Sequence, residues 1–452
     1  MTDSTDTIAA PATPTGTSAI AVVRVSGPDC AALAQAVFRD ELMPRVASHQ
    51  AYRNEAGEVV DDVLVTFFAG PRSFTGEDTL EISTHGNPVI TQLVLDDLFK
   101  RGCRAAAPGE FTRRAFLNGQ LDLTQAEAVM DLIHARSARA VAAANQQLQG
   151  SLGQHLASIT EDLLLTLARI EAYIDFPEED LPEEDRRVVS DLMANVLRGT
   201  QRLLATHRYG ELLRDGIKTV ILGEPKAGKS SLLNALIGRD RALVSDQPGT
   251  TRDYLEEPVM VGPHWLRLTG TAGLNPTPGD VERQGIAKTL ERVAEADLVI
   301  LVLDANHPAP LLPDAVARKL DPQHTLVVLN KEDLLAGQPA IAHGPEGLQS
   351  YRLSALNRTG MDALEAGIIA LADALGPLDQ TDQIAINARH ADALRRAIDG
   401  LQSATAHLEN QGPTELLASD LRSAMDAIGE IAGRIDNEAV LDRLFSTFCI
   451  GK

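Results

Sequence analysis

Residues 217–231 read IKTVILGEPKAGKSS: an apolar, β-branched run, then a loop bounded by Gly223 and closed by Gly228-Lys229-Ser230. A strand that turns into a helix through G-x-x-x-x-G-K-[ST] is a phosphate loop, in which successive backbone N–H groups wrap an anion at a helix N-terminus. In that reading Gly223, Lys226, Ala227, Gly228, Lys229, Ser230 and Ser231 line the nucleotide. Lys229 reaches the β and γ oxygens as a catalytic cation, and the Ser230 hydroxyl is offered to Mg2+. Lys226 adds a positive charge that the pattern does not require.

Working outward, strand and helix alternate: LRLTG, a helix over Val281–Ala296, DLVILVLD, TLVVLN, YRLSA and a helix through Leu375. This rhythm predicts a mostly parallel sheet with helices on both faces, a P-loop nucleotide-binding fold. Asn330-Lys331-Glu332-Asp333 follows a buried strand, and Asp333 can accept from both the ring N–H and the exocyclic amine of guanine. GTP is therefore the expected nucleotide. Ser354, Ala355 and Leu356 would close over the base, and PGTTRD (248–253) would be a switch, with Gly249 and Thr250 against the nucleotide and Thr251 on Mg2+. Taken singly, such tetrapeptides are often ordinary capped turns; four in order on the expected elements are not. One piece departs. Where D-x-x-G would place a carboxylate near the metal, the chain reads Gly270-Thr271-Ala272-Gly273, so Gly273 can still donate its N–H to the γ-phosphate while metal positioning is expected to weaken.

The remaining sequence frames this domain. At 452 residues the chain exceeds a single core. Residues 1–120 mix short strands (Ala19–Val25, Val63–Phe68, Thr79–Ser83) with a helix over Val89–Lys100, an α+β domain. Residues 121–215 read as helical: a capping box at Thr124-Gln125-Ala126-Glu127, an apolar stripe at Leu148, Leu152, Leu156, Ile159 and Leu163, the acidic loop DFPEEDLPEED (175–185), and a helix from Val188 to Leu213. The nucleotide domain spans 216–378, and 379–452 is helical again, which makes the α/β domain an insertion between two helical segments that share one apolar core. Apolar runs fall short of the ~18–20 residues a membrane span needs. The N-terminus lacks a signal-peptide pattern, so a cytoplasmic protein is expected. Cys30, Cys103 and Cys449 fit neither a disulfide framework nor a zinc site. A net charge of −22 argues against RNA binding over a broad basic surface, leaving a local contact or one shared with a partner.

Several long stretches resemble the MnmE (TrmE) family of tRNA-modification GTPases: DTIAAPATPTG, VVRVSGP, SFTGEDTLEISTHGN, PGEFTRRAFLNGQLDLTQAEAV and FSTFCIGK. The likeness runs over essentially the whole chain. It implies a homodimer whose N-terminal domain binds 5-formyl- or 5,10-methylene-tetrahydrofolate, and a helical domain that carries the G domain. It also implies a flavin- and NADH-dependent partner of the MnmG (GidA) type, with which an aminomethyl or carboxymethylaminomethyl group is placed on C5 of the wobble uridine of tRNA. In the family, GTP hydrolysis draws the G domains together across the dimer around a potassium ion. Matched residue by residue, Arg24, Glu81 and Lys452 fall on folate-binding positions, and Gln120 stands where a lysine is usual. Cys449 matches a C-terminal cysteine near that site; read without the family it is as readily a small buried residue. His85 reads as a turn or core histidine, and TPTGTSAI departs from the glycine- and arginine-rich family version. Glu282 matches the family's water-positioning glutamate, although as a residue of a helix first turn it equally complements the helix dipole. Ser245, Gln247 and Thr250 match potassium ligands, and Lys226 occupies the place of the asparagine that completes them. Its ammonium either supplies the ion's charge or points to solvent. A GTP-binding switch or scaffold with weak hydrolysis, motivated by Gly270 and Lys226, and a ribosome-assembly GTPase are the competing readings; the latter would share the G motifs but not FSTFCIGK.

Overall fold

The computed structural model describes residues 6–174, 183–238, 256–270, 289–335, 337–376, 384–433 and 438–451. They form two compact units: one from Met1–Met130, Gln147–Thr200 and Asp392–Lys452, the other from Asp131–Gln146 and Gln201–Ala391.

The first unit holds strands β1 (Ile8–Pro11), β2 (Ile20–Ser26), β3 (Ser48–Arg53), β4 (Val59–Phe68), β5 (Thr79–His85) and β6 (Arg104–Ala105), of which β2, β4 and β5 are rich in β-branched residues. The sheet order is β3-β4-β5-β2-β1-β6, with β1–β6 parallel and the other pairs antiparallel. Helices α1 (Cys30–Val37) and α2 (Pro88–Lys100) cover one face, where Val23, Val25, Val63, Val65, Leu80 and Ile82 meet Leu33, Val37, Val94 and Leu98. Period-2 alternation explains why the odd residues of β2 are buried while Arg24 faces the other side. Helix α3 (Glu110–Leu117) lies on that second face, Phe111 packing with Ile8 and Ala10.

The helical part holds α4 (Leu123–His134), α5 (Ala138–Leu148), α6 (Ser151–Ile174), α7 (Glu183–Ala205) and α8 (His207–Asp215). The capping box stands two residues earlier than the sequence suggested. Asp122 Oδ1 accepts from Gln125 N at 2.8 Å, and Gln125 Oε1 accepts from Asp122 N at 2.9 Å. Thr124 is buried and donates to Asp122 instead. The expected stripe also divides: Leu148 ends α5, a turn at Gly150 with φ +88° intervenes, and Leu152, Leu156 and Leu163 belong to α6. The segment expected as one helix to Leu213 is likewise broken at Thr206, between α7 and α8.

In the second unit, β7 (Ile217–Gly223) leads into α9 (Lys229–Ile237), followed by β8 (Glu256–Val261), β9 (His264–Gly270), helical residues 289–295 (α10), β10 (Leu298–Asp304), α11 (Asp314–Ala317), β11 (Thr325–Asn330), β12 (Gln349–Arg352) and α12 (Met361–Ala374). Its order, β12-β11-β10-β7-β9-β8, is parallel except for β8–β9. The predicted P-loop architecture is thus present, with β8 as an antiparallel edge strand the sequence reading omitted. Strands β7, β10 and β11 are buried on both faces, which is why they read as unbroken apolar runs.

Helices α13 (Ala388–Glu409), α14 (Thr414–Ala432) and α15 (Glu438–Phe445) complete the described chain. In the first unit α6 packs along α14, Leu156, Leu163 and Ile170 being buried on one and Leu421, Ala424 and Ile428 on the other.

Candidate nucleotide-binding site and N-terminal cleft

The phosphate loop takes its shape from backbone positions that L side chains disfavour. Gly223 and Gly228 have φ of +147° and +98°, and Lys226 sits at +68°. A Cβ on Gly228 would collide with the Asn330 amide, so this glycine is what lets the guanine loop touch the phosphate loop. Ala227 is buried, whereas Lys226, Ser230 and Ser231 are exposed, the serines on the first turn of α9. Lys229 Nζ donates to the carbonyls of Gly223 at 2.9 Å and Glu224 at 2.8 Å, which folds the side chain across its own loop. Burial pushes the Lys229 ammonium below its ordinary value, and Glu224 opposes this. A desolvated cation held by carbonyls is poised to exchange them for phosphate oxygens.

The residues expected to read the base lie beside the same loop. Asn330, 2% exposed, donates from Nδ2 to the Ala227 carbonyl at 2.9 Å and accepts at Oδ1 from Ala355 N at 3.0 Å. One amide therefore ties the phosphate loop, the end of β11 and the loop after β12 together. Ser354 is buried, its Oγ accepting from Asn357 N at 3.2 Å. Leu356 is 79% exposed, and Asp333 is exposed in the 3₁₀ turn Glu332–Leu335. Lys331, at φ +68°, places Nζ 2.7 Å from Asp304 Oδ2. Sequence reasoning did not single out Asp304 or Asn306; their signal was a polar D-x-N immediately after an apolar strand.

Gly270 ends β9 and is exposed; a Cβ built there meets nothing within 4 Å. Among the described residues, therefore, nothing at this position replaces the missing carboxylate. Of the metal donors expected, Ser230 is described. Ser245, Gln247, Gly249, Thr250, Thr251, Thr271, Ala272, Gly273, Glu282 and Lys452 lie outside the described residues.

The residues expected to form the N-terminal site start from β2 and β5. Arg24 and Glu81 are register partners, and the guanidinium donates to Glu81 Oε1 from Nε at 3.0 Å and Nη2 at 2.8 Å. Arg24 also lies 5.4 Å and 5.8 Å from the ring centres of Phe74 and Phe111 and donates to the Gly451 carbonyl at 3.5 Å. Arg24 is thus only 15% exposed, held between carboxylate and aromatic faces rather than free at the surface. Gly451, with φ +91°, packs so closely on Pro11 that a Cβ would clash, which brings the residue before Lys452 to this site. Gln120 is exposed, its side chain next to Gly76. For two single residues the structure excludes one of the readings left open. Cys449 is exposed, not buried. His85 lies at the exposed end of β5, Nδ1 2.7 Å from Asp61 Oδ1, rather than in a core.

Among described residues no helix is long and apolar enough to cross a membrane, and no cluster of metal-ligating side chains is present.

A family model for the GTP-binding protein TrmE N-terminus matches residues 7–120, and one for the MnmE helical domain matches residues 123–449. The tRNA modification GTPase MnmE of Opitutus terrae is 54% identical over 447 residues, covering 99% of either chain. The protein of the same name from Akkermansia muciniphila is 43% identical over 460 residues and covers 100% of both. Among solved structures, the G domain of the T. maritima FeoB iron transporter aligns with 34% of this chain and 98% of its own at 21% identity, with a TM-score of 0.24, too low to argue from. Matched by both family models and by full-length relatives, the chain belongs to the MnmE family of tRNA modification GTPases.

Proposed function

We propose that this chain binds GTP on the loop Gly223–Ser231, reads guanine with Asp333, and hydrolyses the nucleotide in the service of tRNA wobble-uridine modification. One observation carries the reading: the Asn330 amide joins phosphate loop, guanine loop and the Ala355 turn in a chain related to MnmE over its full length. Lys229 would trade its carbonyl partners for β- and γ-phosphate oxygens. Ser230 and Thr251 would hold Mg2+, which supplies charge neutralisation at the phosphates when bound. Glu282 would orient the attacking water. Gly223, Ala227, Gly228, Ser231, Gly249, Thr271, Ala272 and Gly273 would surround the phosphates, with Ser354, Ala355 and Leu356 over the base.

The proposal extends to the N-terminal domain. Arg24, Glu81, Gln120 and Lys452 would hold a reduced folate one-carbon donor, with exposed Cys449 nearby; a guanidinium flanked by Phe74 and Phe111 suits a flat heteroaromatic acid. A homodimer working with a flavin- and NADH-dependent partner of the MnmG type would install the aminomethyl or carboxymethylaminomethyl group at C5, and the partner would carry most of the RNA-binding charge. The reading places the protein in the cytoplasm.

A second reading, a GTP-binding scaffold with slow hydrolysis, is favoured by Gly270 and by exposed Lys226, which would stand in for potassium beside Ser245, Gln247 and Thr250. GTP turnover of the purified protein in sodium and then in potassium, beside Gly270→Asp and Lys226→Asn, separates the two. We expect turnover with little potassium dependence in wild type, a potassium requirement in Lys226→Asn, and tighter Mg2+ dependence in Gly270→Asp. Absence of turnover throughout supports the scaffold. Retention of wobble-uridine modification in a strain lacking the gene overturns the tRNA assignment.

A further inference from the structure

The base-reading loop is held by a segment no motif includes. Three contacts converge from residues 304–306 at the end of β10. Ala305 N donates to the Asn330 carbonyl at 2.9 Å, Asn306 Nδ2 donates to the Lys331 carbonyl at 3.1 Å, and Asp304 Oδ2 receives Lys331 Nζ at 2.7 Å. Asp304 Oδ1 in turn accepts from Asn306 N at 3.0 Å and Asn306 Nδ2 at 3.1 Å, so the amide that grips Lys331 is itself fixed by the carboxylate. Main chain and side chain of Lys331 are therefore both held from one short turn.

The need for this is local. Lys331 lies at φ +68°, a conformation that is costly for a non-glycine residue and persists where neighbours impose it. That kink lifts the chain out of β11 and sets Asp333 two residues on, where guanine would be read. Asp304, Lys331 and the loop residues Lys226 and Ala227 also line one cavity of about 300 Å³ beside the phosphate loop, so a shift of the turn reshapes the wall it shares with that loop.

We propose that Asp304 and Asn306 are positioning residues for guanine recognition: they hold Lys331 in its left-handed conformation and so aim Asp333. This rests on the guanine-nucleotide reading above. The carboxylate is suited to the task, since burial tends to raise it but hydrogen bonds from Lys331 and Asn306 hold Asp304 below the ordinary range and charged.

The test uses the full chain, titrated with fluorescent GDP and, by competition, with inosine diphosphate, which lacks the exocyclic amine. Asp304→Asn, which is isosteric, and Asn306→Ala are each expected to weaken GDP about tenfold and inosine diphosphate much less, narrowing the preference for guanine, with KM for GTP raised and kcat kept. Asn306→Asp, which keeps an acceptor but loses the donor to the Lys331 carbonyl, should resemble Asn306→Ala. Variants that keep wild-type GDP affinity and discrimination within twofold overturn the proposal, as does an equal loss for both nucleotides. If wild type binds neither nucleotide, the underlying reading fails as well.

Discussion

At the scale of single residues, the site depends on a few backbone positions with no alternative side chain. Gly228 combines φ +98° with close approach to the Asn330 amide, so Gly228→Ala should abolish measurable GDP binding while leaving the thermal midpoint within a few degrees. Calorimetric titration checks this, and retained binding would refute it. His264 gives a pH prediction. It is 7% exposed, with Nε2 2.7 Å from Asp373 Oδ1, a carboxylate that also takes Arg139 at 2.6 Å. Burial pushes its imidazole below the ordinary 6.5, with Arg139 adding to the shift and Asp373 opposing it. The unfolded chain binds a proton near 6.5 and the folded chain does not. The stability contribution is therefore complete above that pH and is lost as pH falls toward the lowered folded value, at no more than about 1.4 kcal/mol per pH unit. Urea titrations at pH 7.5 and 5.5 should show a loss in wild type that His264→Gln reduces.

At the scale of elements, Asp122 is the one to change. It caps α4 through reciprocal bonds with Gln125, and Asp122→Ala should cost about 1 kcal/mol, a fall of roughly 2–4 °C in melting temperature for a unit of this size. The sequence points instead to Thr124, because T-Q-A-E has the capping-box letters; D-L-T-Q has them too, and only burial of Thr124 decides. This marks where sequence is legible. The phosphate loop, β10 and β11 are readable because their cause is local: glycine at forced φ, and β-branched runs buried on both sides. Strand β8 is not, since EEPVMV alternates weakly and owes its place to pairing with β9. The pairing of Arg24 with Glu81 is likewise hidden, because register across β2 and β5 cannot be seen in either stretch alone. Asp304 and Asn306 escaped for the same reason: their partner, Lys331, is 27 and 25 residues away.

At the scale of the whole molecule, the three cysteines offer a simple census. Cys30 and Cys103 are buried and Cys449 is exposed; burial pushes the Cys103 thiol up to about 11 and Cys30 further still. A thiol reagent at pH 8 should label one cysteine quickly in the native protein, identified by mass as Cys449, and all three in denaturant. Fast labelling of Cys30 would contradict the packing of the N-terminal sheet. The same unit holds a further consequence. Phe445, Phe448 and Leu441 close over Phe116, Leu123, Ala126 and Met130, so the first residues of this core meet partners that lie more than 300 positions later. Roughly 310 residues separate Met130 from Leu441, and at ~5–20 residues per second a ribosome takes on the order of 15–60 s to supply them. Throughout that interval Phe116 and Leu123 wait uncovered on a nascent chain, while the phosphate-loop domain is being made. The first domain to start is thus the last to finish, which makes this core a client for chaperones and makes any message cut short before Leu441 a source of chains with a nucleotide domain and an open apolar wound.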